Sequence, residues 1–135
     1  MLIIKEVEYA VMILDELYHE SPLSAAALST RRNIPSPFIY QVLKKLEARD
    51  ILEIRRGPKG GYSLKADCEK LTLYDVICAF ENTFIVTECL KSDYECVHNN
   101  DFNCRMHRQF AWIQHLLKEE FQKANLSSLL EEDPE

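Results

Sequence analysis

All three glycines of this chain, Gly57, Gly60 and Gly61, fall within one five-residue stretch. They lie inside ILEIRRGPKGGYSLKA, between two short β-prone runs, and the pattern predicts a β-hairpin. Glycine is needed where φ is positive or where two backbones approach closely, and a tight turn between strands asks for both. The tip of this hairpin carries Arg55, Arg56 and Lys59 and is almost free of acids. Stability alone does not explain a basic tip.

The fifty residues before the hairpin read as three helices with short breaks. Val7, Ala10, Val11, Leu14, Leu17 and Tyr18 form an apolar stripe of helical period, closed by Ser21-Pro22. Ser24 is placed to cap a second, Ala-rich helix, SAAALSTRR, which Asn33 breaks. Ser36-Pro37 then pairs a capping residue with a proline at the first helical position. The helix they open, PFIYQVLKKLEARD, is expected to bury Phe38 or Ile39 together with Val42, Leu43 and Leu46. Tyr40, Gln41, Lys44, Lys45 and Arg49 are turned elsewhere. Three helices followed by a basic hairpin is the order of a winged helix-turn-helix.

Beyond the hairpin, Thr72 and Asp75 have the spacing of a capping box at the head of TLYDVICAFE. Residues 83–103 lose any clear period, carry Cys89, Cys96 and Asn99-Asn100, and read as a loop. A last helix is expected from about Asn103 to Ala124. Its stripe of Met106, Phe110, Ile113, Leu117, Phe121 and Ala124 has a second edge in Trp112, Leu116 and Leu126. About 20 residues of helix span roughly 30 Å, more than a small winged domain covers, so the seam is expected to meet a second copy of itself. The expected fold is therefore mainly α: a winged helix-turn-helix with a two-stranded basic wing and a long C-terminal dimerisation helix. The boundaries are 1–66 for the DNA-binding unit, 67–103 for a linking helix and cysteine loop, 104–126 for the dimerisation helix, and 127–135 for a frayed acidic tail.

A net charge of −6 looks wrong for a nucleic-acid partner, but it hides an asymmetry. Residues 31–65 hold nine Lys and Arg against three Asp and Glu. Counter-ion release depends on the local patch that meets the phosphates. No apolar run approaches the roughly 18 residues of a membrane helix, and Lys5, Glu6 and Glu8 stand where a signal peptide would be apolar. A cytoplasmic address and no membrane partner follow as expectations. There the five cysteines are expected as thiols, packing residues or metal ligands rather than disulfides.

Two constellations carry candidate chemistry. On the third helix Ser36, Phe38, Tyr40 and Gln41 belong to the DNA-facing set. Ser36, Tyr40 and Gln41 are the candidates for base edges, and Gln can contact adenine with two hydrogen bonds. Arg31, Arg32, Lys44, Lys45, Arg56 and Lys59 are the candidates for phosphates of a double-stranded operator. Any one of these charges could instead simply solvate a surface. The second constellation is Cys89, Cys96, Cys104 and His107, a thiol cluster in a loop leading into a helix, the setting of iron–sulfur and zinc sites. Cys104 and His107 are one helical turn apart and share a face. The spacing is not a standard zinc pattern. Cys78 is read as core, Cys68 as a bystander, and His19, His98 and His115 as surface residues.

Lys5…Tyr9-Ala10, IYQVLKKLEARDIL, the wing RRGPKGGYSL and LTLYDVICAFE together resemble one group of bacterial winged-helix regulators. The group includes the iron–sulfur cluster regulator (IscR), the nitric-oxide-sensitive repressor (NsrR) and the cysteine-metabolism repressor (CymR). The resemblance spans residues 1 to about 130, and the wing and three-cysteine loop are its most specific parts. It implies a homodimer crossed through the last helix. It also implies a 2Fe–2S or 4Fe–4S cluster on Cys89, Cys96 and Cys104, although cluster-free members exist. His107 matches the histidine that completes the site in the cluster regulators. In the nitric-oxide branch an acidic side chain from the partner's first helix serves instead, and Glu8 stands about there. Tyr40 occupies a position where many relatives have Glu, and the cysteine loop is about one or two residues longer than either branch.

The function expected is that of a DNA-binding regulator, a repressor in the leading reading, controlled by nitric oxide, iron–sulfur status or redox state. One rival is a cluster-free regulator whose thiols sense oxidants directly. Another is a protein-interaction module stapled by zinc, which the basic RRGPKG tip argues against. An enzyme is least expected, since no nucleophile–base pair or phosphate-cradling glycine loop can be assembled.

Overall fold

The computed structural model describes residues 4–81, 84–97 and 104–131. Three helices come first: α1 (Lys5–His19), α2 (Ala25–Arg32) and α3 (Ser36–Ala48). Their apolar faces converge, with Ala10, Ile13, Leu14, Leu28, Val42, Leu43 and Leu46 shut off from solvent. The Ser24 hydroxyl accepts the Ala27 N–H at 3.1 Å, and Asn33 closes α2 in the left-handed conformation. Ser36 is not a cap. The helix already includes it, and the carbonyl of Pro35 accepts from Phe38 and Ile39 instead. Of the pair Phe38 and Ile39, Ile39 is buried and Phe38 is exposed.

Strands β1 (Leu52–Arg55) and β2 (Gly61–Leu64) form an antiparallel hairpin, with Leu52 opposite Leu64 and Arg55 opposite Gly61. The other edge of β2 is held as well. Leu23, in the link between α1 and α2, exchanges two backbone hydrogen bonds with Tyr62, at 2.8 and 3.1 Å. Gly61 makes this approach possible: its φ is +140°, and a Cβ there would stand 2.8 Å from the Leu23 carbonyl. Gly61→Ala is therefore expected to cost about 2–3 kcal/mol in urea unfolding, from backbone strain and the clash together. Gly57 has φ +107° but open space around its Cβ direction, and Gly57→Ala should cost about 1 kcal/mol. Equal losses at the two positions would contradict the close approach.

Helix α4 (Leu73–Phe80) opens on the expected capping box: the Thr72 hydroxyl accepts the Asp75 N–H at 3.2 Å, and the Asp75 carboxylate accepts the Thr72 N–H at 3.0 Å. Helix α5 (Arg105–Lys123) packs on α4 through Leu117 and Phe121, yet none of its residues is buried. The chain then turns at Asn125 into α6 (Leu126–Glu131). This corrects the expectation of a frayed tail from residue 127. Leu126 and Leu130 are buried in the core, and the N–H groups of Leu126 and Ser127 donate to the Leu71 and Cys68 carbonyls at 2.9 Å. The Tyr18 hydroxyl donates to the Glu131 carboxylate, which pushes the Tyr18 pKa up to about 12 and keeps it a donor. His98, Asn99-Asn100, the expected helix start at Asn103 and tail residues 132–135 lie outside the described residues.

Candidate nucleic-acid interface and cysteine segment

Helix α3 and the wing form one face. Ile39, Val42, Leu43 and Leu46 anchor α3 to the core, which leaves Ser36, Phe38, Tyr40, Gln41 and Lys44 exposed. Tyr40 is 60% exposed, while Phe38 leans on the Tyr9 ring at 6.0 Å, a ring that Lys5 covers at 5.4 Å. The wing presents Arg55, Arg56 and Lys59, all exposed. Arg55, at the wing tip but outside the six phosphate candidates, is just as accessible, with only a 4.0 Å approach to Glu53. Position alone, beside the glycine turn, was the available signal.

The other three candidate cations are already engaged. Arg32 binds Glu16 at 2.8 Å and also pairs with Asp15, both on α1. Partial burial disfavours its charge, but the two carboxylates more than offset that and raise its pKa. Arg31 holds Glu20 at 2.6 Å, and that hydrogen bond lowers the Glu20 pKa. Lys45 pairs with Glu6 at 2.7 Å and sits 5.5 Å from the Phe80 ring centre. These contacts clasp α2 and α3 to α1 and α4. Arg49, also outside the predicted set, donates to the Cys78 carbonyl at 3.0 Å and ties the end of α3 to α4.

The cysteine segment runs over the junction of α4 and α5. Phe84 is buried edge-on between Tyr74 and Phe121, with ring centres 6.0 and 5.6 Å away. The Val86 N–H donates to the Gln114 side chain of α5 at 2.9 Å, a further anchor that sequence reasoning missed. Cys89 follows in a single 3₁₀ turn, Glu88–Leu90, and Cys96 lies in chain without regular secondary structure. Cys104 caps α5, its sulfur accepting the His107 N–H at 3.4 Å. All three thiols are half-buried, and no described cysteine is in a disulfide. The donor set suits a thiolate-bound cluster. The described residues nonetheless do not bring three of these donors around one point. Glu8, the alternative ligand, is on α1 and pairs with Lys5 at 2.8 Å. Cys68 is core, its thiol pKa raised by burial, whereas Cys78 is only half-buried.

A three-helix body carrying a recognition helix beside a basic two-stranded wing defines a winged-helix DNA-binding protein. Residues 3–132 match the Rrf2 family, described as iron-dependent transcriptional regulators, and the chain belongs to that family. It is a transcriptional regulator that binds DNA, and not an enzyme. A helix-turn-helix transcriptional regulator of Aquifex aeolicus is 27% identical over 97 residues, covering 72% of this chain and 67% of the relative. IscR of Vibrio vulnificus is 34% identical over 84 residues, 60% of this chain and half of that protein. Among solved structures, oxidized Staphylococcus aureus CymR superposes over the whole of both chains with a TM-score of 0.79 at 17% identity. T. potens IscR does so over 96% of this chain and 86% of its own, with a TM-score of 0.72 at 18% identity. At those identities the likeness shows the fold alone. No described helix is long and apolar enough to cross a membrane.

Proposed function

We propose that this chain is a homodimeric repressor whose affinity for a two-fold DNA operator is set by an iron–sulfur cluster. Cys89, Cys96 and Cys104 hold the cluster, with His107 as the fourth ligand and Glu8 of the partner subunit as the alternative. The donor set carries the reading: three half-buried thiols outside any disulfide, on the stretch joining α4 to α5, with an imidazole one turn beyond the last. A bound cluster supplies a redox-active, nitric-oxide-reactive centre whose lability depends on exposure and hydrogen bonding. The segment is well placed to report on that centre. Gln114 ties its start to α5 and Cys104 caps the same helix. Homodimerisation is supported by the outer face of α5, where Met106, Phe110, Trp112, Ile113 and Leu116 stand exposed along 19 residues.

A second reading shares the same fold. The half-buried thiols and the likeness to the CymR structures favour a cluster-free regulator that responds to oxidants by sulfenic acid or disulfide chemistry. Anaerobic purification followed by absorption spectroscopy and iron, sulfide and zinc analysis separates the two. We expect a coloured protein with acid-labile sulfide. Cys89→Ala, Cys96→Ala and Cys104→Ala should each reduce iron to background while leaving the far-ultraviolet circular dichroism unchanged. A colourless protein after reconstitution, with DNA affinity that peroxide changes and reductant restores, selects the thiol reading. Stoichiometric zinc without iron points to a structural staple and removes the sensing role.

A further inference from the structure

The reading face of α3 has an unusual donor and acceptor content. From Ser36 to Leu46 it contains no Arg, Asp or Glu, and its first acid is Glu47. Its two cations, Lys44 and Lys45, stand in the third turn, and Lys45 is turned away to Glu6 and Phe80. The first two turns present the Ser36 hydroxyl, the Gln41 amide and the exposed Tyr40 ring for base edges, with the Phe38 ring also exposed but packed on Tyr9. In the major groove guanine is read mainly by Arg or Lys on O6 and N7, and cytosine by carboxylates on N4. Neither group is at hand there. Adenine is read by the two-hydrogen-bond contact of Gln or Asn, and thymine by apolar contact with its 5-methyl group.

We propose that Tyr40 is a specificity-determining residue that packs its ring on a thymine methyl group beside an adenine read by Gln41. The operator half-site then carries consecutive A·T pairs under the first two turns of α3. The inference rests on the DNA-binding reading of this face and adds the base class that it selects. Two observations favour the ring over a structural role for Tyr40. Ile39, Val42 and Leu43 already fill the interior side of the helix, so Tyr40 is not needed for the core. The neighbouring Phe38 is the aromatic that packs on α1, through Tyr9, and Tyr40 is left as the more exposed of the two aromatic side chains of α3.

The test begins with selection of binding sites from a random duplex library by the whole protein. Next, each selected thymine is replaced by deoxyuridine, which deletes the methyl alone. Binding of wild type, Tyr40→Phe and Tyr40→Ala is then compared. One buried methyl is worth about fourfold in affinity. We expect adjacent A·T pairs in each half-site. At one thymine, deoxyuridine should weaken wild type and Tyr40→Phe by about fourfold per half-site and leave Tyr40→Ala unaffected. The Phe variant separates the ring from a hydroxyl–phosphate contact, and an unchanged far-ultraviolet circular dichroism spectrum and melting temperature show that Tyr40→Ala is folded. Half-sites centred on G·C pairs, no base preference, or an equal deoxyuridine penalty in Tyr40→Ala would each overturn the proposal while leaving DNA binding intact. Absence of salt-dependent binding to any duplex would overturn both this proposal and the reading on which it rests.

Discussion

A chain ended at Asn125 is expected to lose about 4–6 kcal/mol of stability and to melt some 15–20 °C lower than the full chain. The ten missing residues include the six of α6, two of whose leucines are buried in the core. Each such side chain contributes about 1.5–3 kcal/mol by leaving water. Their loss also opens an apolar slot beside Leu71 and Cys68, and leaves the carbonyls of both residues without the N–H groups they accept. Domains of this size have only about 5–15 kcal/mol in total, so the effect is a large fraction of the whole. Thermal and urea unfolding of the two chains give the answer directly. A melting temperature within two or three degrees of the full chain would mean that α6 merely rests on the surface. The Tyr18–Glu131 bond adds a pH dependence at the alkaline end: the raised Tyr18 pKa stabilises the fold below about pH 10, and that contribution is lost as pH rises towards about 12.

Removing Lys44, Arg56 and Lys59 together is expected to flatten the salt dependence of DNA binding. Removing Arg31, Arg32 and Lys45 is not. The first three are exposed cations on the recognition helix and wing, whereas the second three are each held by a carboxylate of α1 or of Glu20, which closes it. Each phosphate contact contributes about 0.9 to the slope of log affinity against log salt. Six contacts in the proposed homodimer therefore account for a slope change of about five, and at moderate salt for a loss of several orders of magnitude. Arg32→Ala should instead lower stability by about 1 kcal/mol, because Asp15 and Glu16 lose a partly buried partner. Equal slope changes from the two triple variants would show that the α1 carboxylates release their partners to DNA.

Most of the N-terminal body was legible because its signals are local. Helical apolar spacing, the Ser24 cap, the Thr72–Asp75 box and the clustered glycines each depend on residues a few positions apart. What escaped depends on residues that meet only in three dimensions. Arg31 and Arg32 read as free cations because Glu20, Glu16 and Asp15 lie 11 to 17 positions away. Helix α6 escaped because LSSLLE is too short to show a period and stands beside an acidic run. For the cysteine segment the sequence supplied the donors but not their arrangement. Between Cys89 and Cys104 no repeat, cap or strand pattern constrains the backbone.

The two hydrogen bonds between Leu23 and Tyr62 bear on how such a protein can be regulated. They stitch the outer edge of β2, near the turn, to the link between α1 and α2, so wing and helical body form one tool with a fixed gauge. A signal arriving at α5 has no hinge within that tool on which to act. In the proposed homodimer, what remains adjustable is the spacing and angle between the two tools, much as callipers are reset at the joint and not by bending the jaws.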